Sequence, residues 1–182
     1  MAKTYVFLAE GFETVEALAV VDVLRRSGCE VVTVAVGNEQ LVMSAQKIPV
    51  KADRLISEVS CEDADVVFLP GGMPGTRNLE ADDKVISVVK TQYESGKIVA
   101  AICAAPSVFG HMHILEGKRA TCYPGFEKDL YGAIVMTDKV VADGNVITSR
   151  GMGTAVDLGL FLVERLYGKE KADSIASGIQ YR

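Results

Sequence analysis

Short apolar runs alternate along the chain with longer stretches in which apolar residues recur every three or four positions. The runs predict buried strands at 4–9, 30–36, 65–69 and 97–102. The periodic stretches predict helices at 13–27, at 82–95, from 104 toward 113, and at 154–167. Because near-continuous Val, Ile and Leu strands separated by helices are typical of parallel sheets covered on both faces, we expect one three-layer α/β domain over residues 1–182.

Two turn and capping signals refine this outline near the end of the chain. Asp143-Gly144 lies between the apolar segments 139–142 and 145–149, and this dipeptide strongly predicts a hairpin. Thr154 stands where a side chain can cap the last predicted helix, with Asp157 three residues later, and Gly168 is expected to end it.

Composition and charge exclude several classes of protein. The 182 residues are 49% hydrophobic and 24% charged, which is ordinary for a globular domain and argues against disorder or a coiled coil. The longest apolar run, 98–105, is far shorter than a membrane span, and the N-terminus lacks a secretory signal. With 19 basic against 24 acidic residues, no basic stripe predicts binding to nucleic acid. We therefore expect a cytoplasmic protein that binds neither membrane nor nucleic acid.

The four cysteines show no pattern typical of a metal site. Cys29, Cys61, Cys103 and Cys122 form no C-x-x-C pair and have no histidine at zinc spacing. Phosphate-binding glycine motifs are also incomplete or absent. We expect free thiols, no metal and no cofactor.

Cys103 is the strongest candidate for chemistry. It directly follows a predicted buried strand and precedes a predicted helix, with Ala101 and Ala105 two positions away on either side. Small residues at these positions permit the sharp turn of a nucleophile elbow. Such a turn would place the sulfur near a helix N-terminus, which favours the thiolate, and Ala104 with Gly71-Gly72 would supply backbone N–H donors. The alternative is a buried, inert cysteine.

Glu16 is the second candidate. On a helical wheel it shares a face with Val20 and Val23, whereas Asp22 and Arg26 lie on the expected solvent face. A carboxylate on an apolar face has a raised pKa, so Glu16 can donate a hydrogen bond or carry a proton at neutral pH. The alternative is an ordinary glutamate in the first turn of a helix, and the sequence leaves the choice between Glu13 and Glu16 open.

The two histidines argue against a cysteine peptidase. His111 and His113 follow Cys103 by eight and ten residues on the same predicted helix, which places them roughly 12 to 15 Å from the turn. A histidine base must lie within hydrogen-bond distance of its nucleophile. We expect both histidines to be surface residues near the end of this helix.

Four segments together resemble the DJ-1/PfpI superfamily, and more closely its DJ-1 branch. They are 8–16 (LAEGFETVE), 69–72 (LPGG), 100–106 (AAICAAP) and 149–154 (SRGMGT). The resemblance implies a flavodoxin-like sandwich and a homodimer. It also implies that Cys103 is an oxidation-prone nucleophile, that Glu16 is a protonated glutamate hydrogen-bonded to it, and that Gly72 and Ala104 are the backbone donors.

Three positions depart from this family's patterns. Ala104 stands where the protease-like branch has histidine, so peptidase activity is not expected. Tyr123 replaces a histidine of the human-type protein, and its hydroxyl can polarise a substrate carbonyl. Gln46 replaces an arginine of some relatives, whereas Arg150 matches and either acts in the site or braces a surface loop.

Two functions follow from the resemblance. The first is a glutathione-independent glyoxalase or deglycase, in which Cys103 adds to a 2-oxoaldehyde such as methylglyoxal and Glu16 moves a proton. The second is an oxidative-stress sensor or redox-regulated chaperone, in which Cys103 is oxidised to a sulfinic acid. A binding domain with an inert cysteine is the third interpretation.

Overall fold

The computed structural model describes residues 1–181. The strands are β1 (Lys3–Ala9), β2 (Glu30–Val36), β3 (Leu41–Met43), β4 (Pro49–Lys51), β5 (Arg54–Leu55), β6 (Val66–Leu69), β7 (Ile98–Ile102), β8 (Arg119–Ala120), β9 (Ile134–Val135), β10 (Val140–Asp143) and β11 (Val146–Ser149). The helices are α1 (Thr14–Arg26), α2 (Gly75–Glu80), α3 (Asp83–Glu94), α4 (Pro106–His111), α5 (Ala155–Tyr167) and α6 (Lys169–Gly178). Short 3-10 turns occur at Ile56–Glu58, Glu127–Asp129 and Met152–Thr154.

Seven of the strands form a central sheet in the order β10-β11-β7-β6-β1-β2-β5. All neighbouring pairs in this sheet are parallel except β10 and β11, which form an antiparallel hairpin. Asp143 pairs with Val146 across its turn, and Gly144 adopts a positive φ of 62°. The predicted mainly parallel sheet and the Asp143-Gly144 hairpin are both confirmed.

Helices cover both faces of the sheet. On one face, β1 residues Val6 and Leu8 pack in a cluster with residues of α1, α5 and α6. On the other face, Tyr5 and Phe7 of the same strand pack with residues of α2, α3 and α4. Side chains of successive strand residues point to opposite faces, so a fully apolar strand serves two cores at once. This arrangement is the predicted three-layer α/β sandwich.

Helix ends agree with prediction at the first two long helices. The Glu13 carboxylate accepts from the Glu16 N–H at 2.6 Å at the start of α1, and Asp82 accepts from two N–H groups at the start of α3. Both helices lie within one residue of the predicted bounds.

The predicted cap of α5 is wrong. The Thr154 hydroxyl donates to the carbonyl of Gly151 at 2.9 Å instead of accepting from the helix. Asp157 instead pairs with Lys139 at 3.4 Å. A hydroxyl that is already bonded within its own turn does not reach the first N–H groups of the helix. Gly168, with φ of 89°, does end α5 as expected.

Several short elements were not predicted: the β3–β4 hairpin, β5, β8, β9, α2 and α6. The hairpin matters most for the site, because it docks on the loop that follows β1. The N–H of Gly11 donates to Met43, and the N–H of Ala45 donates to Phe12. Within residues 1–181, no helix combines the length and the apolar character needed to cross a membrane.

Candidate active site

The carboxyl ends of three adjacent strands create the candidate site. β7, β6 and β1 are neighbours in the sheet, so the segments that follow them meet at one edge. Ligands of open parallel sheets bind outside this edge. The segments beginning at Glu10, Pro70 and Cys103 are therefore brought together at this edge.

Cys103 occupies a sharp turn between β7 and α4. Its φ is 66°, a left-handed conformation that costs free energy for a residue with a side chain. Two backbone hydrogen bonds hold it: the Cys103 N–H donates to Ser149 at 3.0 Å, and its carbonyl accepts from the Tyr123 N–H at 2.8 Å. The flanking Ala101 and Ala105 are fully buried, which leaves no room for larger residues. This is the elbow geometry that the sequence predicts.

Exposure separates Cys103 from the other three cysteines. Cys103 is partly exposed, whereas Cys29, Cys61 and Cys122 are buried and at most 5% exposed. Cys103 packs against the α1–α5 face of the sheet, and Cys122 lies in the core of the opposite face. Only Cys103 among the four is therefore placed to meet a solute.

Glu16 projects from the first turn of α1 into the same space. It is 1% exposed and lies on the buried face with Val20 and Val23, as the wheel predicts. Its Oε2 accepts a hydrogen bond from the Gly71 N–H at 3.0 Å. Burial raises its pKa from the ordinary 4.5 to about 7, although hydrogen bonds from Cys103 and from the N–H groups of Gly71 and Met152 oppose the shift. This supports the predicted rise in the pKa of Glu16.

The structure distinguishes the roles of Glu13 and Glu16. Glu13 caps α1 by accepting from the Glu16 N–H, and its negative charge contributes to the raised pKa of Glu16. Glu16, rather than Glu13, hydrogen-bonds with Cys103. Glu13 is thus a capping residue, and Glu16 is the acid of the site.

Two backbone groups face the sulfur. The N–H groups of Ala104 and Gly72 hydrogen-bond to Cys103 and lower the pKa of its thiol. Gly72 has a φ of 92°, and a Cβ there would collide with the backbone of residues 11–13, so only glycine fits this approach. Gly71 was also expected to supply a backbone donor beside Cys103, but its N–H donates to Glu16 instead of to the sulfur.

The expectation that a helix N-terminus beside Cys103 favours its thiolate requires correction. The helix that follows is α4, which begins at Pro106 and has only six residues, ending at His111 instead of near His113. Burial raises the pKa of Cys103 to about 12, and the Glu16 carboxylate adds to the rise through its negative charge and by accepting the thiol proton in a hydrogen bond. When Glu16 is protonated, this repulsion is lost and its carboxyl O–H can donate to the sulfur. The two groups therefore titrate as a pair.

The remaining predicted residues lie around this pair. Tyr123 is 51% exposed and is tied to Cys103 through the backbone bond described above. Arg150 donates to the carbonyl of Thr137 at 3.2 Å, as expected for an arginine that braces a loop. Gln46 accepts from the Thr14 hydroxyl at 2.9 Å and so links the β3–β4 hairpin to the start of α1.

The histidines lie outside the site, but His111 is not a simple surface residue. It is partly buried, with Nδ1 at 2.5 Å from Glu80 and Nε2 at 3.9 Å from Asp129. The Glu80 contact ties the end of α4 to the end of α2, and the Asp129 contact ties it to the 3-10 turn at Glu127–Asp129. His113 is exposed and pairs with Glu116, as the sequence suggests.

Sequence reasoning did not include Gly151 and Met152 in the site. The Met152 N–H is one of the hydrogen-bond donors to Glu16. A Cβ on Gly151 would lie 3.8 Å from Glu16 Oε1 and 3.2 Å from the Tyr123 ring. A signal was available in the sequence, because Gly151 and Met152 directly follow the apolar segment that forms β11 and so lie at the carboxyl edge of the sheet.

Depressions on the surface differ in their relation to Cys103. One of about 330 Å³ is lined by Tyr123, Pro124 and residues 150–154, beside the site. Larger ones of about 400 and 500 Å³ lie against α5 and α6 and around Lys3, near the start of β1. In the described part of the chain, no cluster of three or more His, Cys, Asp and Glu side chains is arranged to hold a metal ion.

A mainly parallel α/β sandwich with a cysteine elbow and a buried glutamate defines a class of cysteine-site flavodoxin-like proteins. The model of the DJ-1/PfpI family matches residues 2–165. The chain belongs to the DJ-1/PfpI family.

Curated relatives and solved structures agree with this assignment. The chain is 40% identical over 182 residues to protein DJ-1 homolog B of Arabidopsis thaliana, covering 99% of this chain. It spans only 42% of that relative's length, and 44% of the length of Arabidopsis homolog A. It is 33% identical to the glutathione-independent glyoxalase DJR-1.2 of Caenorhabditis elegans, covering 91% of this chain and 89% of the other. The structure of oxidized Toxoplasma gondii DJ-1 superposes with a TM-score of 0.95 at 35% identity, covering 99% and 98% of the two chains.

Proposed function

We propose that this protein is a cofactor-free, cysteine-dependent glyoxalase that converts small 2-oxoaldehydes such as methylglyoxal into 2-hydroxy acids. The observation that carries the proposal is the hydrogen-bonded pair of Cys103 and Glu16, in which the carboxyl pKa of about 7 suits proton transfer at neutral pH. The similarity to a worm protein named as a glutathione-independent glyoxalase supports it.

The first step forms a carbon–sulfur bond. Glu16 accepts the Cys103 proton as the sulfur attacks the aldehyde carbon, so the thiolate forms together with a neutral carboxyl group. The carbonyl oxygen becomes the hydroxyl of a hemithioacetal after taking up that proton. The N–H groups of Ala104 and Gly72 stabilise negative charge at the sulfur before attack.

The second step moves a proton between neighbouring carbons. Glu16, again ionised, removes the hydrogen of the former aldehyde carbon and returns that proton to the former ketone carbon, while the hydroxyl proton of the hemithioacetal passes to the former ketone oxygen. The first carbon is thereby oxidised to a thioester and the second is reduced to an alcohol, so no external oxidant or reductant is consumed. Water then cleaves the thioester, which releases the 2-hydroxy acid and restores the Cys103 thiol. Deglycation of thiols or amines would begin from the same hemithioacetal chemistry.

The test is the rate of methylglyoxal loss with wild type, Cys103→Ser and Glu16→Gln. We expect both variants to lose turnover, and we expect lactate as the product of the wild type. Glu10→Gln is a matched control, because Glu10 is exposed and its carboxylate accepts from the Met43 N–H at 3.2 Å. Equal turnover by all four proteins would overturn the proposal.

An oxidation sensor is the second candidate function. It is supported by the exposure of Cys103 relative to the buried cysteines and by similarity to a DJ-1 structure described as oxidized. Each peroxide would transfer one oxygen atom to the sulfur and leave as water, giving first a sulfenic and then a sulfinic acid. The Ala104 and Gly72 N–H groups can donate to the new oxygen atoms.

Peptide mass spectrometry after mild peroxide treatment tests this second function. Cys103 should gain oxygen before Cys29, Cys61 and Cys122, and equal rates at all four would contradict it. Exposed Met73 and Met152 also oxidise, so the gain must be assigned to peptides instead of to the whole chain.

We also propose that the protein forms a homodimer through an apolar face on α1 and the β3–β4 hairpin. Val15, Leu41 and Ile48 are 46%, 58% and 48% exposed. The bond between Thr14 and Gln46 holds these two elements together. Large exposed apolar residues on adjoining elements are typical of contact surfaces.

Light scattering tests the homodimer and should give twice the mass of the chain. The double variant Leu41→Glu/Ile48→Glu should give the mass of the monomer. A monomeric wild type would contradict the proposal.

A further inference from the structure

An open depression of about 330 Å³ lies beside the Cys103–Glu16 pair. Its walls are the side chains of Tyr123, Pro124 and Met152, and Gly151 contributes to its floor. This volume is at the lower end of the range for small-molecule sites and is far larger than a methyl group needs.

Backbone contacts fix this depression relative to both reacting side chains. The Tyr123 N–H donates to the Cys103 carbonyl at 2.8 Å, and the Met152 N–H donates to Glu16. A Cβ on Gly151 would lie 3.2 Å from the Tyr123 ring and 3.8 Å from Glu16 Oε1. The Tyr123 ring and the Glu16 carboxylate therefore lie on either side of Gly151. A molecule bonded to Cys103 would lie next to the depression.

The lining of the depression is mostly apolar, with Arg150 and Thr154 as its polar side chains, and it remains in contact with solvent. Tyr123 is 51% exposed and Met152 is 55% exposed, so both lose water contact when a ligand covers them. Arg150 lines the depression and donates from Nη1 to the Thr137 carbonyl at 3.2 Å. Because most of the lining is apolar, the surface suits an apolar substituent.

We infer that Tyr123 and Met152 form a wall that binds the substituent of the substrate, and that the protein prefers 2-oxoaldehydes carrying an aromatic or long aliphatic group over methylglyoxal. This inference rests on the proposed glyoxalase function and specifies its substrate class. Tyr123 acts here through its ring, whereas the hydrogen-transfer steps belong to Glu16. An added apolar group in a fitting pocket changes kcat/KM by about tenfold or more.

The test compares initial rates with phenylglyoxal and methylglyoxal. We expect a higher kcat/KM for phenylglyoxal in the wild type. Tyr123→Ala and Met152→Ala should each lower that value by about tenfold, and should lower the methylglyoxal value by a smaller factor. Tyr123→Phe should keep the preference, because it keeps the ring. Tyr131→Ala is the matched control, since Tyr131 is 45% exposed and lies beside His111, away from the site.

Two results would overturn the inference while leaving the proposed function intact. One is a loss of turnover on both substrates by the same factor in Tyr123→Ala, which would assign Tyr123 to the chemistry. The other is an unchanged preference in both alanine variants.

A binding measurement separates this inference from the proposed function. If the wild type turns over neither substrate, the proposed function fails, and the wall is then tested by the affinities of mandelate and lactate for Cys103→Ser. Tighter binding of mandelate that is lost in Cys103→Ser/Tyr123→Ala would support the wall. Equal affinities for the two acids would overturn it.

Discussion

The N–H of Gly71 donates to Glu16 Oε2 at 3.0 Å, and the absence of a side chain at Gly71 is what permits this contact. A Cβ at this position would lie 2.6 Å from the same Oε2 and 2.7 Å from Cys103 Cβ. Gly71 therefore sets the distance between the acid and the nucleophile as well as binding the acid.

Gly71→Ala should reduce turnover by about 100-fold, because it displaces both reacting groups and small displacements in a site cost rate of this order. It should also lower the free energy of unfolding by about 1 to 3 kcal/mol through overpacking. Initial rates and urea denaturation measure the two effects. Gly178→Ala is the control, since a Cβ there has open space. Full activity in Gly71→Ala would contradict the role given to this glycine.

Glu16→Gln should stabilise the fold at neutral pH more than at acidic pH. In the folded chain Glu16 keeps its proton up to about pH 7, whereas the unfolded chain releases it near 4.5. The folded state thus binds more protons between these values, and wild-type stability falls as pH rises through that window. Glutamine removes this dependence, so its advantage should grow from pH 4.5 to 7 and reach at most about 3 kcal/mol.

Denaturant unfolding at pH 4.5, 6 and 7.5 measures this difference. Glu10→Gln, at an exposed carboxylate, should show no such trend. A Glu16→Gln effect of the same size at every pH would mean that Glu16 is not buried as an acid with a raised pKa.

Iodoacetamide at pH 7.5 should label Cys103 first. Cys29, Cys61 and Cys122 are at most 5% exposed and are inaccessible without local opening of the fold, whereas Cys103 is partly exposed. We expect their labelling to be slower by about tenfold or more. Peptide mass spectrometry measures the order, with the urea-unfolded chain as the reference in which all four react alike. Cys122 labelling as fast as Cys103 would contradict the predicted order.

The contact between His111 and Glu80 should couple the ends of α4 and α2. The two side chains are about one-third exposed, so a coupling of about 1 kcal/mol or less is expected from a double-mutant cycle of His111→Ala and Glu80→Ala. Denaturation of the four proteins gives the value. His113→Ala, at an exposed pair, should change stability less than His111→Ala. Additive effects of the His111 and Glu80 variants would show that the contact carries no coupling.

The long elements were predictable because their signals are local. The runs at 4–9 and 30–36 are buried on both faces, and Glu13 and Asp82 cap their own helices. α6 could also have been found, since Ala172, Ile175 and Ala176 repeat at helical spacing and are buried. The β3–β4 hairpin is different, because its three-residue strands are held by contacts with Gly11 and Phe12 that no local pattern reveals.

By itself the sequence determined the class of fold, the elbow at Cys103 and the face on which Glu16 lies. These follow from periodicity and from small residues around Cys103, which are properties of neighbouring positions. Tertiary structure alone decided that the Gly71 N–H donates to Glu16 and that Glu13 caps α1. It also decided that Tyr123 and Met152 lie beside the Cys103–Glu16 pair. The protonation of the pair was also decided there, because a pKa depends on burial and on charges brought together from distant parts of the chain.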